Sequence, residues 1–261
     1  MTEQSAVESC TYPTTTVQLP SRGLFYDGRV PDGNITLRPM TTQEEKMLLS
    51  PKKDRLAILD NVLTRCIVTK DIPLADMLIG DKFFLLLTLR SITYGMEYKF
   101  QTRCPSCNWD SQVILSIPKD LEIRVLEEAD KEPFEVKLPS SGKTLGLRLL
   151  RVRDEVEVQR RVRQTSMKGP VVEGDPAYEY RLALHIVTID GEEVNVLQAL
   201  TLCENMLGGD SLVMRNAIDE QSPGVRLLLH NACDRCGETY DRTMPFTASF
   251  FRPGAESGLG G

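Results

Sequence analysis

The sequence predicts an α+β protein built of two similar halves, each with small antiparallel strands, helices and a thiol-bearing hairpin, joined at one shared four-cysteine site. Three observations predict it. First, Cys104-Pro-Ser-Cys107 and Cys233-Asp-Arg-Cys236 each interrupt a pair of strand-like stretches, Glu97–Arg103 with Asp110–Ile117 and Val225–Ala232 with Glu238–Pro245. That is a β-hairpin whose turn carries two thiols, written twice, and C-x₂-C is the spacing with which zinc ribbons supply thiolates. Second, a shift of 129 residues, which carries Cys104 onto Cys233, also lays Met77-Leu78 on Met206-Leu207, Gly80-Asp81 on Gly209-Asp210 and Gly95 on Gly224. Seven of the 31 positions from 77 to 107 are then identical without a gap, against roughly two expected from ordinary composition. Third, Val17-Gln-Leu-Pro-Ser21 resembles Val136-Lys-Leu-Pro-Ser140, and Leu37-Arg38 resembles Leu147-Arg148. The expected layout is a flexible arm at 1–14, a first half at 15–117, a connector at 118–133, a second half at 134–246 and a flexible tail at 247–261.

In chain order, Thr15–Leu19 and Ile35–Pro39 read as strands joined by a loop with Gly23, Gly28 and Asp32-Gly33. Thr41 and Thr42 with Glu44 and Glu45 form two overlapping capping boxes, opening a short helix to about Leu49. A second helix covers Asp54–Cys66, with Leu56, Leu59, Val62, Leu63 and Cys66 on one face. Asp81 reads as the N-cap of a buried helix that stops before Gly95, a residue suited to a left-handed position. The connector is acidic, with Glu122, Glu127, Glu128, Asp130 and Glu132. The second half opens with a tight hairpin, Phe134–Leu138 and Thr144–Leu150, and continues in helices at about Asp154–Gln164, Ala177–Val187, Val196–Leu207 and Ser211–Glu220. Asp175-Pro176 and Asn195 are the expected caps of the middle two.

Composition excludes several classes. The net charge is −6, with no basic stripe at either hairpin, so nucleic acid is not an expected partner. Phe83–Leu89 is the longest apolar run and is broken by Thr88, far short of the ~18–20 residues that span a bilayer. Met1-Thr-Glu-Gln-Ser5 lacks the start of a signal peptide, which points to a chain made in a cytoplasm, where paired thiols are more often metal ligands than disulfides.

Cys104, Cys107, Cys233 and Cys236 are therefore the expected ligands of a structural zinc, whose four thiolates leave no open coordination position. An Fe–S cluster, free thiols or a disulfide are the alternatives, and His230 could replace one thiolate. Cys66 and Cys203 fall on apolar helix faces, and Cys10 lies in the arm. His185, among Leu182, Leu184, Ile186 and Val187, reads as a core histidine. No nucleophile motif, P-loop or dinucleotide fingerprint is present, and no small-molecule substrate is expected. Arg148, Arg151, Arg153, Arg160, Arg161 and Arg163 alternate with Asp154, Glu155 and Glu157, the pattern of a solvated helix face or of a docking surface for an acidic neighbour. Leu24, Phe25 and Tyr26, three large apolar residues in a Gly-flanked loop, either fold back as a lid or anchor a neighbouring subunit.

Ser21-Arg-Gly-Leu-Phe-Tyr26, Thr36-Leu-Arg-Pro-Met-Thr-Thr-Gln-Glu-Glu45, Ile79-Gly-Asp81, Tyr94-Gly95 and Cys104-Pro-x-Cys107, in that order, resemble the baseplate protein family of T-even-type contractile-tail phages. That family is typified by a baseplate hub subunit and a hub assembly catalyst. The likeness is clearest over 17–117 and extends to about 246 through the second knuckle. It implies a non-enzymatic protein that helps build, or stays in, the hub region of the virion's tail baseplate, with other phage tail proteins as partners. The rival readings are a cellular zinc-ribbon interaction adaptor and a transient hub assembly chaperone absent from the virion.

Overall fold

Residues 12–49, 55–70, 73–127, 130–168, 174–175, 177–245 and 248–251 are described by the computed structural model of the chain. The first half opens with β1 (Thr15–Gln18) and β2 (Asn34–Leu37), an antiparallel pair in which Val17 faces Ile35. Helix α1 (Thr42–Leu48) follows, then α2 (Arg55–Cys66) and α3 (Ile79–Tyr94). The hairpin of β3 (Glu97–Arg103) and β4 (Asp110–Ser116) carries the first cysteine pair. After a short strand β5 (Ile123–Arg124), the second half begins with β6 (Phe134–Lys137) and β7 (Thr144–Leu147). Then come α4 (Val152–Lys168), α5 (Tyr178–Ala183), β8 (Ile186–Ile189), β9 (Glu192–Glu193), α6 (Val196–Glu204) and α7 (Gly208–Gln221). The chain closes with β10 (Gly224–Val225), the hairpin of β11 (Leu228–Ala232) and β12 (Thr239–Thr243), and a 3₁₀ turn over Ala248–Phe251. Strands β6-β7-β8-β9 form one antiparallel sheet, and the other strands pair in twos, β10 with β5.

Local chemistry explains the boundaries. Thr41 caps α1 in a capping box with Glu44, and Asn195 caps α6 in another with Gln198. Helix α3 is apolar on nearly every side, so it lies in the middle of its core, with Leu85, Leu87 and Leu89 fully buried. It ends at Gly95, whose φ of 90° a side chain would resist. Two apolar clusters form. One surrounds α3 and gathers Leu63, Met77, Leu85 and Ile117. The other lies between the β6–β9 sheet and α4–α7, around Leu145, Leu147, Ala199 and Met214.

The same buried devices recur at matching places in both halves. Arg38 makes a bidentate pair with Glu44 (3.0 and 3.2 Å), which also accepts from Thr41 N. Arg148 does the same with Asp154 (2.8 and 2.9 Å), which accepts from Arg151 N. Burial alone would raise the Glu44 carboxyl, but Arg38 and Thr41 hold it down to about 2. Asp81 accepts from Ser21 N at 3.0 Å, and Asp210 accepts from Ser140 N and Ser141 N at 2.7 and 3.0 Å.

Several expectations from the sequence are corrected. Asp81 is not an N-cap: Leu78 holds that position, and the Asp81 carboxylate, like that of Asp210 behind its N-cap Leu207, lies inside the helix and turns to hold a loop. The helix expected over Ala177–Val187 stops at Ala183, because the β-branched run Ile186-Val187-Thr188-Ile189 joins the sheet as β8. The N-cap of α5 is Ala177, with Asp175 accepting its N–H from two residues upstream; Pro176 lies outside the described residues. Leu56 is 40% exposed rather than on the buried face of α2. The connector contributes β5 and two buried leucines, Leu121 and Leu126. The tail expected to be flexible from 247 packs at Phe250 and Phe251, whose rings meet edge-on, with Phe250 also edge-on to Tyr98. Residues 1–11, with Cys10, and 252–261 lie outside the described residues.

The halves meet where the start of α3 docks on the corner between β7 and α4. Ile79 N donates to Leu150 O (3.2 Å), Val152 N donates to Met77 O (2.9 Å), and Leu78 pairs with Arg151 in an antiparallel bridge. Beside this, a Cβ on Gly80 would lie 1.8 Å from the Pro223 carbonyl oxygen, so only glycine lets the two backbones touch. Gly80→Ala is therefore expected to destabilise by about 1–3 kcal/mol or more through overpacking. Gly209→Ala, where the added carbon would meet only Ser140 Oγ at 3.8 Å, should instead gain about 0.5–1 kcal/mol of helix propensity. Thermal melts of the two variants read this directly, and equal shifts would contradict the asymmetry.

Candidate metal centre

Each cysteine pair sits at the tip of a two-stranded hairpin, and the two tips are built alike. In the first, Cys104 N donates to Trp109 O (2.9 Å) and Asn108 N to Cys104 O (3.0 Å). In the second, Cys233 N donates to Glu238 O (2.8 Å) and Gly237 N to Cys233 O (2.9 Å). The residue after the second cysteine is left-handed in both, Asn108 at φ 56° and Gly237 at φ 74°. Asparagine and glycine are the residues that adopt this conformation at least cost. The turn closes each C-x₂-C pair so that both sulfurs point off the same end of the hairpin.

The tips face each other across the halves. Cys104 Sγ lies 3.8 Å from Cys236 Sγ, Cys107 Sγ lies 3.6 Å from Cys233 Sγ, and all four sulfurs fall within 4.8 Å of one another. A tetrahedron with metal–sulfur bonds of about 2.3 Å has edges of about 3.8 Å, close to the 3.8 and 3.6 Å of the two facing pairs, so the cluster is compatible with a single metal ion. A disulfide needs about 2.05 Å, and an Fe–S cluster, larger than a single ion, needs sulfurs spread further apart. The cluster is closed below and open above: Cys104 and Cys233 are buried, Cys107 half-buried and Cys236 exposed. Backbone amides of Cys236 and Arg235 lower the Cys233 thiol to about 7. The Glu238 amide pulls Cys236 down, but the sulfur of Cys107, then desolvation, then the sulfurs of Cys233 and Cys104 push it up to about 12. A divalent cation would relieve that crowding by taking all four as thiolates.

An isolated two-stranded hairpin is marginal in water, and both hairpins here are two-stranded. Their bases are anchored by Tyr98, Phe100 and Leu229 in the first core and by Tyr98 OH, which donates to Pro245 O (3.1 Å). Nearer the tips, Arg242 donates to Arg103 O (3.4 Å) and the Arg235 guanidinium covers the Trp109 ring at 5.1 Å. His230 is not part of the cluster. Its Nδ1 faces Asp241 Oδ1 at 2.5 Å on the exposed face of β11.

Away from the cluster, the loop after β1 folds back as a lid. Tyr26 is fully buried, donates to Asp81 Oδ2 (2.6 Å) and accepts from Leu78 N (2.9 Å). Leu24 and Phe25 are half-buried. Burial, then the neighbouring carboxylate, pushes the Tyr26 phenol far above its ordinary value. Burial raises Asp81 to about 6 against the pull of Ser21 and Tyr26. A cleft of about 470 Å³ between the halves has Leu59, Leu78, Phe83 and Leu150 on its walls, with Lys82, Glu155 and His185 among them. The Lys82 amine is held by Asp60 (3.0 Å) and Glu155. The His185 ring is tied through Nδ1 to Arg148 O (2.8 Å), and burial lowers it to about 4. The arginine pattern of α4 is largely spoken for: Arg151 pairs with Glu132 (2.9 Å), Arg153 with Asp76 (3.0 Å) and Arg160 with Glu157 (2.8 Å). The Arg161 guanidinium covers the Tyr180 ring.

A family model described as T4 bacteriophage base plate protein matches residues 13–252. No curated protein and no solved structure matches the chain. No helix among the described residues is long and apolar enough to cross a membrane.

Proposed function

The chain belongs to the T4 bacteriophage base plate protein family, and from that membership we propose that it is a non-enzymatic part of the hub region of the tail baseplate, stapled by one zinc. Membership carries the structural or assembly role at the tail. The hub is the finer reading, supported by the resemblance of 17–117 to hub proteins. Zinc would be held by Cys104, Cys107, Cys233 and Cys236 and, with four thiolates, would have no open position for catalysis. Its contribution is to tie hairpin to hairpin, since metal binding free energy becomes folding free energy. The observation that carries the proposal is the convergence of four sulfurs, from segments over 120 residues apart, at the edge lengths of a single-ion tetrahedron.

The chain is read as an internal duplication, 15–117 and 134–246. The matching loop-holding aspartates, the matching Arg–carboxylate corners and the identical hydrogen bonds of the two knuckles support it. A non-enzymatic reading is supported by the state of the charged groups in the cleft, where Lys82 is neutralised and His185 is bound to a carbonyl.

Quantitative mass spectrometry of purified mature particles tests the role. A few to a dozen copies per particle make the protein a permanent baseplate part. Its absence, with tails failing to form when its gene is silenced, makes it a hub assembly factor. Absence with normal tails would overturn the baseplate reading in favour of a cellular interaction adaptor.

A further inference from the structure

The two halves relate to each other in two different ways at once. At the cysteines the relation is reciprocal: Cys104 faces Cys236 and its counterpart Cys233 faces Cys107, at 3.8 and 3.6 Å. At the helices it is not. The start of α3 takes the corner before α4, and Leu78 is 1% exposed there. The counterpart of that acceptor is the start of α7, where Leu207 is 63% and Leu212 49% exposed. The counterpart of the donor corner is the stretch before α1, where Thr42 is exposed and Thr41 is extended at φ −105°, ψ 175°. Among the described residues, neither Thr42 N nor Gly208 N has a hydrogen-bond acceptor. Among the described residues, one such contact is made, while the amide of Thr42 beside the buried Met40, the amide of Gly208 and the side chain of Leu207, which would make a second, equivalent contact, face outward.

We propose that this open pair is a head-to-tail interface between copies of the chain: the corner Met40–Thr42 of one copy docks on Met206–Gly208 of the next. This rests on the equivalence of the two halves. Gly208 N would donate to Met40 O and Thr42 N to Met206 O, repeating the bonds that Ile79 and Val152 make with Leu150 and Met77. Burial of Leu207 between them would repeat that of Leu78. A heterologous contact of this kind closes into a ring or runs on as a filament according to its rotation.

Two variants test it, each spoiling one end. Thr42→Pro removes the N–H at the first position of α1, where proline is well tolerated and the preceding extended residue already suits it. Leu207→Asp puts a charge on an exposed position. Sedimentation velocity of the metal-loaded full chain over a concentration series is expected to show wild-type species larger than one chain. Each variant alone should associate about tenfold more weakly or worse, since an unmade buried hydrogen bond or a buried charge opposes the contact. Mixing the two variants leaves one good donor and one good acceptor, so the mixture should form pairs and nothing larger. A wild type that stays monomeric with its metal bound would overturn the interface and leave the baseplate reading standing. Variants that associate like wild type, or a mixture that stays monomeric, would overturn it as well. Loss of the metal without effect on folding would instead count against the staple.

Discussion

Cys104→Ser and Cys233→Ser proteins are expected to lose the metal and several kcal/mol of stability with it. Each substitution replaces a buried sulfur at the closed side of the cluster with an oxygen that does not ionise at neutral pH. Structural zinc sites carry apparent binding free energies of about 10–16 kcal/mol, comparable with the whole margin of an ordinary domain, about 5–15 kcal/mol. The expected loss here is about 4–5 kcal/mol or more, the range that removal of a metal reaches. It falls unevenly. The two apolar clusters around Leu85 and Leu147 remain, and Tyr98, Phe100 and Leu229 anchor the hairpin bases to the first of them, so the helices stay while the β3–β4 and β11–β12 hairpins open from their cysteine tips. Hydrogen exchange would show the opening at 101–112 and 230–241, and chelation of the wild-type protein should reproduce it. Cys66→Ala and Cys203→Ala, in contrast, should keep the metal, because burial pushes these thiols up to about 11 and 12, far from thiolate character. Wild-type melting in the serine variants would sink the staple.

The second large effect is expected at the buried triad of Ser21, Tyr26 and Asp81. Asp81→Ala leaves Ser21 N and the Tyr26 hydroxyl without an acceptor inside the first core. Each orphaned group costs about 1–3 kcal/mol, so a loss of about 3–5 kcal/mol is expected. Tyr26→Phe, which strands Leu78 N and one carboxylate oxygen, should cost about 2 kcal/mol, between the same limits. The Asp81 contribution also depends on pH, with a definite sign. Its folded value, raised to about 6, lies above the unfolded value of about 3.8. Its stability contribution is therefore fully present below the unfolded value and is lost as pH rises through the folded one. At 1.36 kcal/mol per unit, wild type loses about 3 kcal/mol relative to Asp81→Asn between those limits. His185 has the opposite slope: lowered from 6.5 to about 4, it destabilises the folded state as pH falls through that window. The signal is thus the difference between Asp81→Asn and wild type, measured as unfolding free energy at several pH values. A difference that stays constant from pH 4 to 6 would contradict the assignment.

Much of the fold and site was legible because its signals are local. A C-x₂-C pair between strand-like runs specifies its own hairpin, and Thr41 with Glu44 or Asn195 with Gln198 specifies its own helix start. The repeated spacing from Gly-Asp to the first cysteine also pointed to matching elements. What the sequence hid was long-range. Asp81 and Asp210 look like caps because a carboxylate near a helix start usually is one. Here each turns to a loop 60 or 70 residues away, which no local pattern announces. Ile186–Ile189 continues a helical pattern until its β-branched run finds β7 as a partner. Phe250 and Phe251 precede glycines, and their burial comes from distant partners in the first core, with Tyr98 and Arg90 against the Phe250 ring. The Asn108 and Gly237 pair was readable in principle, since both are residues that favour a left-handed turn and both follow a second cysteine.

On the proposed reading, a metal at the four cysteines would have a structural task. The halves touch at the glycine contact and the backbone bridge, through the Lys82–Glu155 and Asp76–Arg153 pairs, through the first core, which takes in Leu149, Val152, Leu229 and Phe250, and at the cysteines. Between them lies a cleft. A metal held by the four cysteines would add a further tie at the hairpin tips, where Arg242 meets Arg103 O and the Arg235 guanidinium covers the Trp109 ring.

Native mass spectrometry of the purified full-length chain, before and after chelation, tests the central claim most directly. The account predicts one zinc per chain, held by wild type and lost together from Cys104→Ser, Cys107→Ser, Cys233→Ser and Cys236→Ser. A chain that carries no metal, or keeps it when one knuckle is disabled, would contradict it.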